Sequence, residues 1–292
     1  MILDGRHIAS VIREELSQEI GRIVADGGRA PSLAVVIVGH NPASETYVRN
    51  KIRACEEVGI QAQKIAFDED VTEDVLLQQI DILNQDPSID GFLVQLPLPE
   101  HISEQKIAER IDYRKDVDGL CPENVGRTML GMPSIMSATP KGIRELLKRY
   151  DIPTEGKRVV VIGRSNIVGK PMAMLLIQKN LLGNATVTLC HTKTPNLKEV
   201  CLEADIIIVA VGQPCTLTED MVRTGCVVVD VGINRVNDQS DKGYRLCGDA
   251  DFEKLKDKCS YISPVPGGVG PMTIASLLQN TLQAYKFRIT KD

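Results

Sequence analysis

Apolar residues in the first 120 positions alternate between helical spacing and strand spacing. The helical spacing predicts helices at 5–26, 42–57, 72–85 and 102–111. The strand spacing predicts strands at 32–39, 61–67 and 90–98. Helices and strands that alternate in this way are typical of a parallel sheet covered by helices.

A second alternating series follows a stretch rich in turn formers at 121–138, which we interpret as a linker. Thr139 and Pro140 are suited to serve as the N-cap and first-turn proline of a helix over 141–150. The remaining pattern predicts helices from about 168 and near 196–203, and strands at 157–163, 185–190, 205–211 and 226–232. These strands are nearly continuous in Val and Ile, as expected for strands buried on both faces.

The two series predict an α/β protein with two domains, each a parallel sheet covered by helices, the second of them Rossmann-like. A length of 292 residues, about twice that of a usual single domain, agrees with this division. We expect the last helix, from 272 to about 285, to pack back on the first domain. The predicted domains are therefore 1–120 plus 270–292, and 139–269.

Composition and charge narrow the class of partner. A net charge of -5 gives no overall basic field for nucleic acid or anionic lipid, although it does not exclude a local basic pocket. No apolar run approaches the roughly 18 to 20 residues of a membrane span, and the N-terminus lacks the apolar segment of a signal peptide. A small-molecule partner fits better than nucleic acid or membrane.

The eight cysteines are scattered and never form a Cys-x-x-Cys pair. Their spacing argues against a zinc site and against a compact disulfide scaffold. We predict no metal site and reduced thiols in a cytoplasmic protein.

The stretch VVVIGRSNIVGKP leads a buried strand through Gly163 and Gly169 into a helix. Glycine permits close approach of the chain to a ligand, and a helix N-terminus offers unpaired N–H groups to phosphate. The spacing is not the usual Gly-x-Gly-x-x-Gly, and Pro171 after Lys170 excludes a P-loop. A glycine turn without a ligand is almost as good an interpretation of this stretch alone.

The end of the next strand favours NADP over NAD as the dinucleotide. NAD sites usually have an acidic residue here for the ribose 2′-hydroxyl, whereas a 2′-phosphate is met by cationic and polar donors. This strand ends in His191, Thr192 and Lys193, and Arg164 in the glycine turn adds a forked donor. Each residue alone could be a solvated loop residue, so the prediction depends on their convergence.

Tyr47 and Lys51 are four residues apart on the predicted 42–57 helix, about 40° from each other around its axis, at the edge of its apolar stripe. From spacing alone, a lysine that extends to solvent beside a boundary tyrosine is the more frequent arrangement. Gln95 ends an apolar strand, where polar side chains of a parallel sheet face a ligand crevice. Asp118 follows in the loop KDVDGL, where a turn-forming role is an alternative.

Six ordered motifs carry a resemblance to a known family: GHNPASETYVRNKIRACEEVGI, DGFLVQLPLP, KDVDGLCPENVGR, GRSNIVGKPMAMLL, DVGINR and PVPGGVGPMTIASLL. Together they resemble the bifunctional methylenetetrahydrofolate dehydrogenase/methenyltetrahydrofolate cyclohydrolase family, from Asp4 to about Ala284. The resemblance implies a two-domain α/β enzyme, usually a homodimer, that binds tetrahydrofolate derivatives opposite NADP.

By position, the resemblance implies a role for each motif residue. Lys51 matches the catalytic lysine, Tyr47 a tyrosine that stacks on folate, Gln95 a glutamine bonded to the lysine, and Asp118 an aspartate that binds the pterin edge. The implied folate contacts also include Val94, Leu96, Pro266, Gly267, Gly268, Val269 and Gly270. The implied cofactor contacts are Gly163, Arg164, Ser165, His191, Thr192 and Ile233.

The family chemistry consists of hydride transfer to NADP followed by hydrolysis of the methenyl product to 10-formyltetrahydrofolate. The second step needs a proton relay near neutral pH, and a free lysine with a pKa of about 10.4 holds its proton too firmly. We therefore expect burial and neighbouring groups to favour the neutral amine of Lys51. Other interpretations are an NADP dehydrogenase for a different substrate and a catalytically silent NADP-binding regulatory protein.

Two positions depart from the family pattern. Cys121 stands where many relatives have histidine, and Ala138 where many have cysteine. Both lie next to the predicted linker and outside the implied catalytic set.

Overall fold

The computed structural model describes residues 1–239 and 243–289. The chain divides into two compact units. The three-stranded unit comprises Ser10–Ala138 and the residues from Ile274 onward, and the five-stranded unit comprises Met1–Ala9 and Thr139–Thr273. Across 1–239 and 243–289, no helix has both the length and the apolar character needed to cross a membrane.

The sheet of the three-stranded unit is parallel throughout, in the order β2-β1-β3. Its strands are β1 (Ser32–Val38), β2 (Gln61–Phe67) and β3 (Gly91–Val94). Every residue of the central strand β1 is buried, as its continuous apolar run predicts, whereas the edge strand β2 is largely exposed. Around the sheet the chain forms α1 (Gly5–Ala25), α2 (Pro42–Val58), α3 (Glu73–Gln85), α4 (Glu104–Arg110) and α5 (Pro122–Met129).

Helix α2 has clear start and stop signals. The side chain of Asn41 accepts hydrogen bonds from the backbone N–H groups of Ala43 (2.9 Å) and Ser44 (3.2 Å), and Pro42 occupies the first turn. Gly59 ends the helix with a φ of 87°, a left-handed conformation that favours glycine. These caps fix the first and last residues of the helix that carries Tyr47 and Lys51.

The five-stranded unit has a parallel sheet in the order β10-β7-β6-β4-β5. Its strands are β4 (Arg158–Ile162), β5 (Thr186–Cys190), β6 (Ile206–Val209), β7 (Val227–Asp230) and β10 (Tyr261–Ile262). Its helices are α6 (Ala138–Arg149), α7 (Gly169–Leu176), α8 (Leu197–Leu202) and α9 (Phe252–Leu255). The last helix, α10 (Val269–Ile289), passes from this unit into the three-stranded one. The predicted α/β class with two parallel sheets is confirmed.

The N-terminal residues extend the five-stranded sheet. Leu3 donates its N–H to the carbonyl of Ile262 (2.9 Å), and Ile262 donates to the carbonyl of Met1 (3.0 Å). These bonds run alongside β10 and explain why residues 1–9 belong to the five-stranded unit, whereas the sequence pattern grouped them with 10–120.

The stretch 121–138, which the sequence pattern indicates as a linker, contains helix α5 and belongs to the three-stranded unit. Pro122 occupies the first turn of α5, and the Cys121 sulfur accepts a hydrogen bond from the Asn124 N–H at 3.4 Å. The prediction of Thr139 as an N-cap was wrong, since α6 begins at Ala138 and Thr139 lies inside it. Its hydroxyl instead lies 3.2 Å from that of Thr273.

Sequence patterns also missed the antiparallel hairpin of β8 (Asn234–Asn237) and β9 (Tyr244–Cys247). Its strands, NRVN and YRLC, are short and mostly polar, so they lack the apolar alternation on which strand prediction depends. The last helix was predicted to begin at 272, but Val269 and Gly270 already form the first turn of α10.

Candidate active site

Lys51 lies on α2 with its side chain turned inward, and only 8% of the residue is exposed. Its Nζ donates a hydrogen bond to Oε1 of Gln95 at 3.0 Å. A buried amine held by an uncharged amide is uncommon for lysine, which usually pairs with a carboxylate or reaches solvent when it lies at a surface. The solvent-extended interpretation of this lysine is therefore wrong.

Gln95 is the first residue after β3, and hydrogen bonds hold both its backbone and its side chain. Its backbone N–H donates to the carbonyl of Val36 on β1 at 2.8 Å, which continues the ladder. Its side-chain Nε2 donates to the carbonyl of Leu96 at 2.7 Å, so the amide oxygen is the atom that faces Lys51. The carboxyl end of a parallel strand thus presents a fixed acceptor to the amine.

Tyr47 lies one turn before Lys51 on α2 and is 45% exposed. The neighbouring Val48 is buried at 1% exposure. The phenol ring therefore lies at the boundary of the helix face that the sequence predicts, where part of its surface is free to stack on a planar ligand.

Asp118 is half-buried in a turn that runs beside β3. Phe92 on β3 donates its N–H to the carbonyl of Lys115 at 2.9 Å, and Phe92 and Asp116 form a parallel bridge. This pairing carries the chain forward next to β3, and a small cavity there is lined in part by Val94, Leu96 and Asp118. The structure therefore brings these three predicted residues to the same strand end as Gln95.

The sequence did not identify Asp116, which builds the turn that carries Asp118. Asp116 is 2% exposed, and burial raises the pKa of its carboxyl. One carboxyl oxygen accepts from the Gly119 N–H (3.0 Å), and the other from the Cys121 N–H (2.8 Å) and the Asn124 side chain (3.1 Å). The pattern KDVDG contains both aspartates, but only the structure shows that the Asp116 carboxyl is bonded to the backbone of the turn.

Cys121, the departure from the family pattern, is buried in this same turn at 3% exposure. Burial raises the pKa of its thiol to about 12. The side chain lines the cavity next to Asp118 as an uncharged group.

In the five-stranded unit, two glycines make the turn after β4 tight. A Cβ on Gly163 would lie 2.1 Å from the carbonyl oxygen of Ala210, and its φ is 118°. A Cβ on Gly169 would lie 2.0 Å from the carbonyl oxygen of Gly163. Both positions therefore exclude any side chain, as close packing of a dinucleotide turn requires.

Arg164 and Ser165 follow Gly163 in the turn between β4 and α7. Ser165 accepts hydrogen bonds at Oγ from the N–H groups of Val168 (3.1 Å) and Gly169 (3.4 Å). Arg164 is exposed, and its guanidinium has no ion-pair partner among the residues that the structure describes. The serine thus holds the turn, and the arginine remains available for an anion.

The end of β5 lies next to this turn, because β4 and β5 pair in parallel and Gly163 donates its N–H to the carbonyl of Cys190 at 2.9 Å. His191 is half-buried, and its Nδ1 accepts from the Lys193 N–H at 3.1 Å. Thr192 and Lys193 are exposed, and no carboxylate pairs with Lys193 in the described parts of the chain. His191, Thr192 and Lys193 thus lie at the end of β5, next to the turn that carries Arg164.

Ile233 and the Pro266–Gly270 segment belong to the five-stranded unit. Ile233 is 47% exposed, and a Cβ on Gly270 would lie 3.6 Å from its Cδ1. Gly267 has a φ of 116° and accepts a hydrogen bond from the Arg6 N–H at 3.1 Å. The predicted site residues therefore fall into two groups, this one and the Lys51 group of the three-stranded unit.

Within residues 1–239 and 243–289, no group of three or more His, Cys, Asp or Glu side chains is arranged to hold a metal ion. The described residues around Lys51 and around Gly163 supply hydrogen-bond donors, acceptors and apolar surface. Such sites can bind and orient organic ligands and move protons.

Comparison with known proteins assigns both parts of the chain to one family. Residues 3–118 match the catalytic domain of tetrahydrofolate dehydrogenase/cyclohydrolase, and residues 137–289 match its NAD(P)-binding domain. The bifunctional protein FolD of Porphyromonas gingivalis is 58% identical over 286 residues, which cover 98% of this chain and 97% of that protein.

Two solved structures have the same fold over their full length. The bifunctional FolD of Campylobacter jejuni is 48% identical with a TM-score of 0.93, and the match covers 99% of both chains. The Trypanosoma brucei enzyme, crystallised with NADP and an inhibitor, is 36% identical with a TM-score of 0.93, and the match covers 99% of this chain and 98% of that one. The resemblance predicted from the six motifs is confirmed, and the chain belongs to the tetrahydrofolate dehydrogenase/cyclohydrolase family.

Proposed function

We propose that this chain oxidises 5,10-methylenetetrahydrofolate with NADP and hydrolyses the methenyl product to 10-formyltetrahydrofolate, with Lys51 as the proton relay. The observation that carries the proposal is the buried Lys51 amine at 3.0 Å from the amide oxygen of Gln95. Membership of the bifunctional family supports the two activities.

Hydrolysis moves protons in two places, and one amine can serve both. Water that adds to the methenyl carbon releases a proton, and the nitrogen that leaves this carbon takes one up. The Lys51 amine can accept the first proton and return it to the leaving nitrogen, while the second proton of the water is released to solvent as the formyl C=O bond forms. The Gln95 amide oxygen holds the amine in place by accepting a hydrogen bond from one of its N–H groups.

Folate binding is assigned to the side chains around this amine. The exposed ring of Tyr47 can stack on the flat part of the substrate, and the Asp118 carboxylate can accept two hydrogen bonds from an amino-pyrimidinone edge. Val94 and Leu96 line the cavity beside Asp118. The backbone of Pro266–Gly270 is proposed as a further folate contact.

The residues of the five-stranded unit fit NADP. Gly163 and Gly169 leave room for the backbone to approach a pyrophosphate. Arg164, Thr192 and Lys193 can bind a 2′-phosphate, and Ile233 offers apolar surface. When bound, the nicotinamide supplies the acceptor for the hydride. We propose folate binding and catalysis for 1–120 plus 270–292, and NADP binding for 139–269. Of the first set, residues 1–9 and 270–273 belong to the five-stranded unit.

A homodimer in the cytoplasm completes the proposal. It is supported by family analogy and by cysteines that are unpaired throughout the described chain. Analytical ultracentrifugation of the purified chain tests the dimer, and a single sedimenting species of 32.0 kDa would contradict it.

The function is tested by following reduced cofactor with methylenetetrahydrofolate as substrate, with NADP and NAD side by side. We expect NADPH formation with a higher kcat/KM for NADP, and hydrolysis of separately supplied methenyltetrahydrofolate. NADP binding without turnover would indicate a regulatory protein. Turnover of a different alcohol or amine, and not of the folate, would indicate another dehydrogenase.

A further inference from the structure

Asp249 is a fully buried carboxylate in the five-stranded unit, with 0% exposure. Its Oδ2 accepts hydrogen bonds from the backbone N–H groups of Val211 (2.6 Å) and Gly212 (2.9 Å). Its Oδ1 accepts from the side-chain amide of Asn234 at 2.8 Å. Three donors therefore fix the carboxylate, and bonds of this charge-assisted kind are about twice as strong as neutral ones.

The groups that Asp249 joins lie on two different segments of the candidate cofactor site. Val211 and Gly212 follow β6, and Ala210 immediately before them contacts the glycine turn at Gly163. Asn234 follows Ile233 and begins β8, the next strand after β7. In an open parallel sheet, these carboxyl ends of the strands are where a ligand lies.

The surrounding sequence makes room for this carboxylate. A Cβ on Gly232 would lie 2.2 Å from a carboxyl oxygen of Asp249, so any side chain at 232 displaces it. A second buried carboxylate, Asp230, accepts the backbone N–H groups of Asp249 (2.9 Å) and Ala250 (2.8 Å). A Cβ on Gly248 would in turn lie 1.8 Å from Asp230. The two glycines thus leave room for the two carboxylates, and Asp230 holds the Asp249 backbone.

We propose that Asp249 is a positioning residue for the dinucleotide, which ties the Val211–Gly212 loop to the Ile233–Asn234 segment before the cofactor arrives. The proposal rests on the proposed function only for the identity of the ligand. Gly212 is exposed and flexible by residue type, so without the carboxylate its loop is ordered only on binding. That ordering reduces affinity for the cofactor and leaves the chemistry of Lys51 intact.

The experiment compares four variants with wild type: Asp249→Ala, Asp249→Asn, Gly232→Ala, and the exchange of Asp249→Asn with Asn234→Asp. Asp257→Ala removes an exposed carboxylate of the same unit and is the matched control. For each protein, the Kd and KM for NADP are measured, together with hydrolysis of methenyltetrahydrofolate in the absence of NADP. Thermal unfolding shows which variants fold.

We expect Asp249→Ala and Gly232→Ala to raise the KM and Kd for NADP at least about tenfold, while kcat/KM for NADP-free hydrolysis stays within about twofold. In the exchange, the amide at 249 can donate to the carboxylate at 234, and its oxygen can still accept from the N–H groups of Val211 and Gly212. The exchange should therefore recover most of the NADP affinity that Asp249→Asn alone loses. This recovery keeps the test valid even if Asp249→Ala does not fold.

Unchanged NADP affinity in folded Asp249→Asn and Gly232→Ala would overturn the proposal. Equal losses of dehydrogenase and hydrolysis activity would also overturn it, because they indicate a general structural role. Wild-type protein that does not bind NADP would instead refute the proposed function, so the two failures are distinguishable.

Discussion

The two groups of candidate site residues are built in different ways. Around Lys51, side chains meet directly, as in the 3.0 Å bond between the amine and Gln95. Around Gly163, the backbone forms the surface, and glycines leave space where a Cβ would meet a carbonyl oxygen at 2.1 Å. The first group suits proton transfer and the second suits binding of a phosphate-rich ligand, so mutations in the two groups should separate the two activities.

The largest effect is expected for Lys51→Met. Removal of the amine deletes the proposed proton relay, and general acid–base groups typically contribute about 100- to 10,000-fold to rate. We expect hydrolysis of methenyltetrahydrofolate to fall by that factor while the folate still binds. The chain contains no tryptophan whose fluorescence could report binding, so calorimetry measures the folate affinity.

Lys64→Met, on the exposed edge strand β2, is the matched control for loss of a lysine in the same unit. Full retention of hydrolysis in Lys51→Met would refute the assignment of this residue. An equal loss in both variants would point to a general effect of charge.

The second largest effect is expected for a substitution in the Gly163 turn. In Gly163→Ala, the added Cβ would overlap the carbonyl of Ala210 and adopt a φ of 118°. The turn must shift, and a displacement of about 1 Å can cost roughly 100-fold in a positioned reaction. We expect NADP-dependent oxidation to fall by about that factor, with hydrolysis of supplied methenyl substrate much less affected.

Gly225→Ala is the control for this variant, because Gly225 has a φ of 83° but nothing within 4 Å of an added Cβ. It has the backbone strain without the clash. Similar loss of oxidation in both variants would argue against a cofactor role of the Gly163 turn.

The third effect is the loss of folate affinity in Asp118→Ala. A charged acceptor that bonds a ligand contributes about 1.5–3 kcal/mol, or roughly 10- to 100-fold. Steady-state kinetics should show the folate KM raised by this factor with the KM for NADP unchanged. An unchanged folate KM would favour the turn-forming role that the sequence left open.

The same contrast explains how much the sequence could predict. Lys51, Gln95 and Asp118 lie at strand ends, in the loops that follow strands and helices, or at the edge of a helix face. The spacing of apolar residues and the sequence motifs identify such positions. Asp116 and Asp249 have no such signal, because a buried carboxylate that bonds backbone N–H groups is recognised only once the partners are known. Sequence patterns therefore identified the groups proposed to contact ligand, and missed those that hold them.

Prediction of the fold from the sequence is limited in a similar way. Strands with continuous apolar runs, such as β1 and β6, were predicted, since burial on both faces leaves a strong pattern. The β8–β9 hairpin and helix α5 were missed, because their sequences are short and mostly polar. Their apolar residues show neither helical nor strand spacing clearly. Their place is set by tertiary contacts, such as the bond from the Asn124 side chain to the Tyr113 carbonyl at 2.7 Å.

The smallest expected effect is a change of stability with pH. It involves a buried lysine in the segment that leads to Asp118. Lys115, three residues earlier, is 5% exposed, and its Nζ donates to the carbonyls of Leu83 and Asp86, both at 2.7 Å, at the end of α3. Burial, with a contribution from Arg288, lowers the pKa of Lys115 to about 8. Between about pH 8 and the ordinary lysine pKa of about 10.4, the unfolded chain binds more protons here than the folded chain.

The free energy of unfolding of the wild type should therefore rise relative to that of Lys115→Met as the pH increases from 8 to 10, by at most about 1.4 kcal/mol per pH unit. Urea unfolding at several pH values measures this difference. Lys115→Met should also be less stable throughout, since two carbonyls lose their donor at a cost of about 1–3 kcal/mol each. A difference that stays flat from pH 8 to 10 would show that the ammonium of Lys115 is as stable in the fold as in water, and that its two hydrogen bonds fully replace hydration.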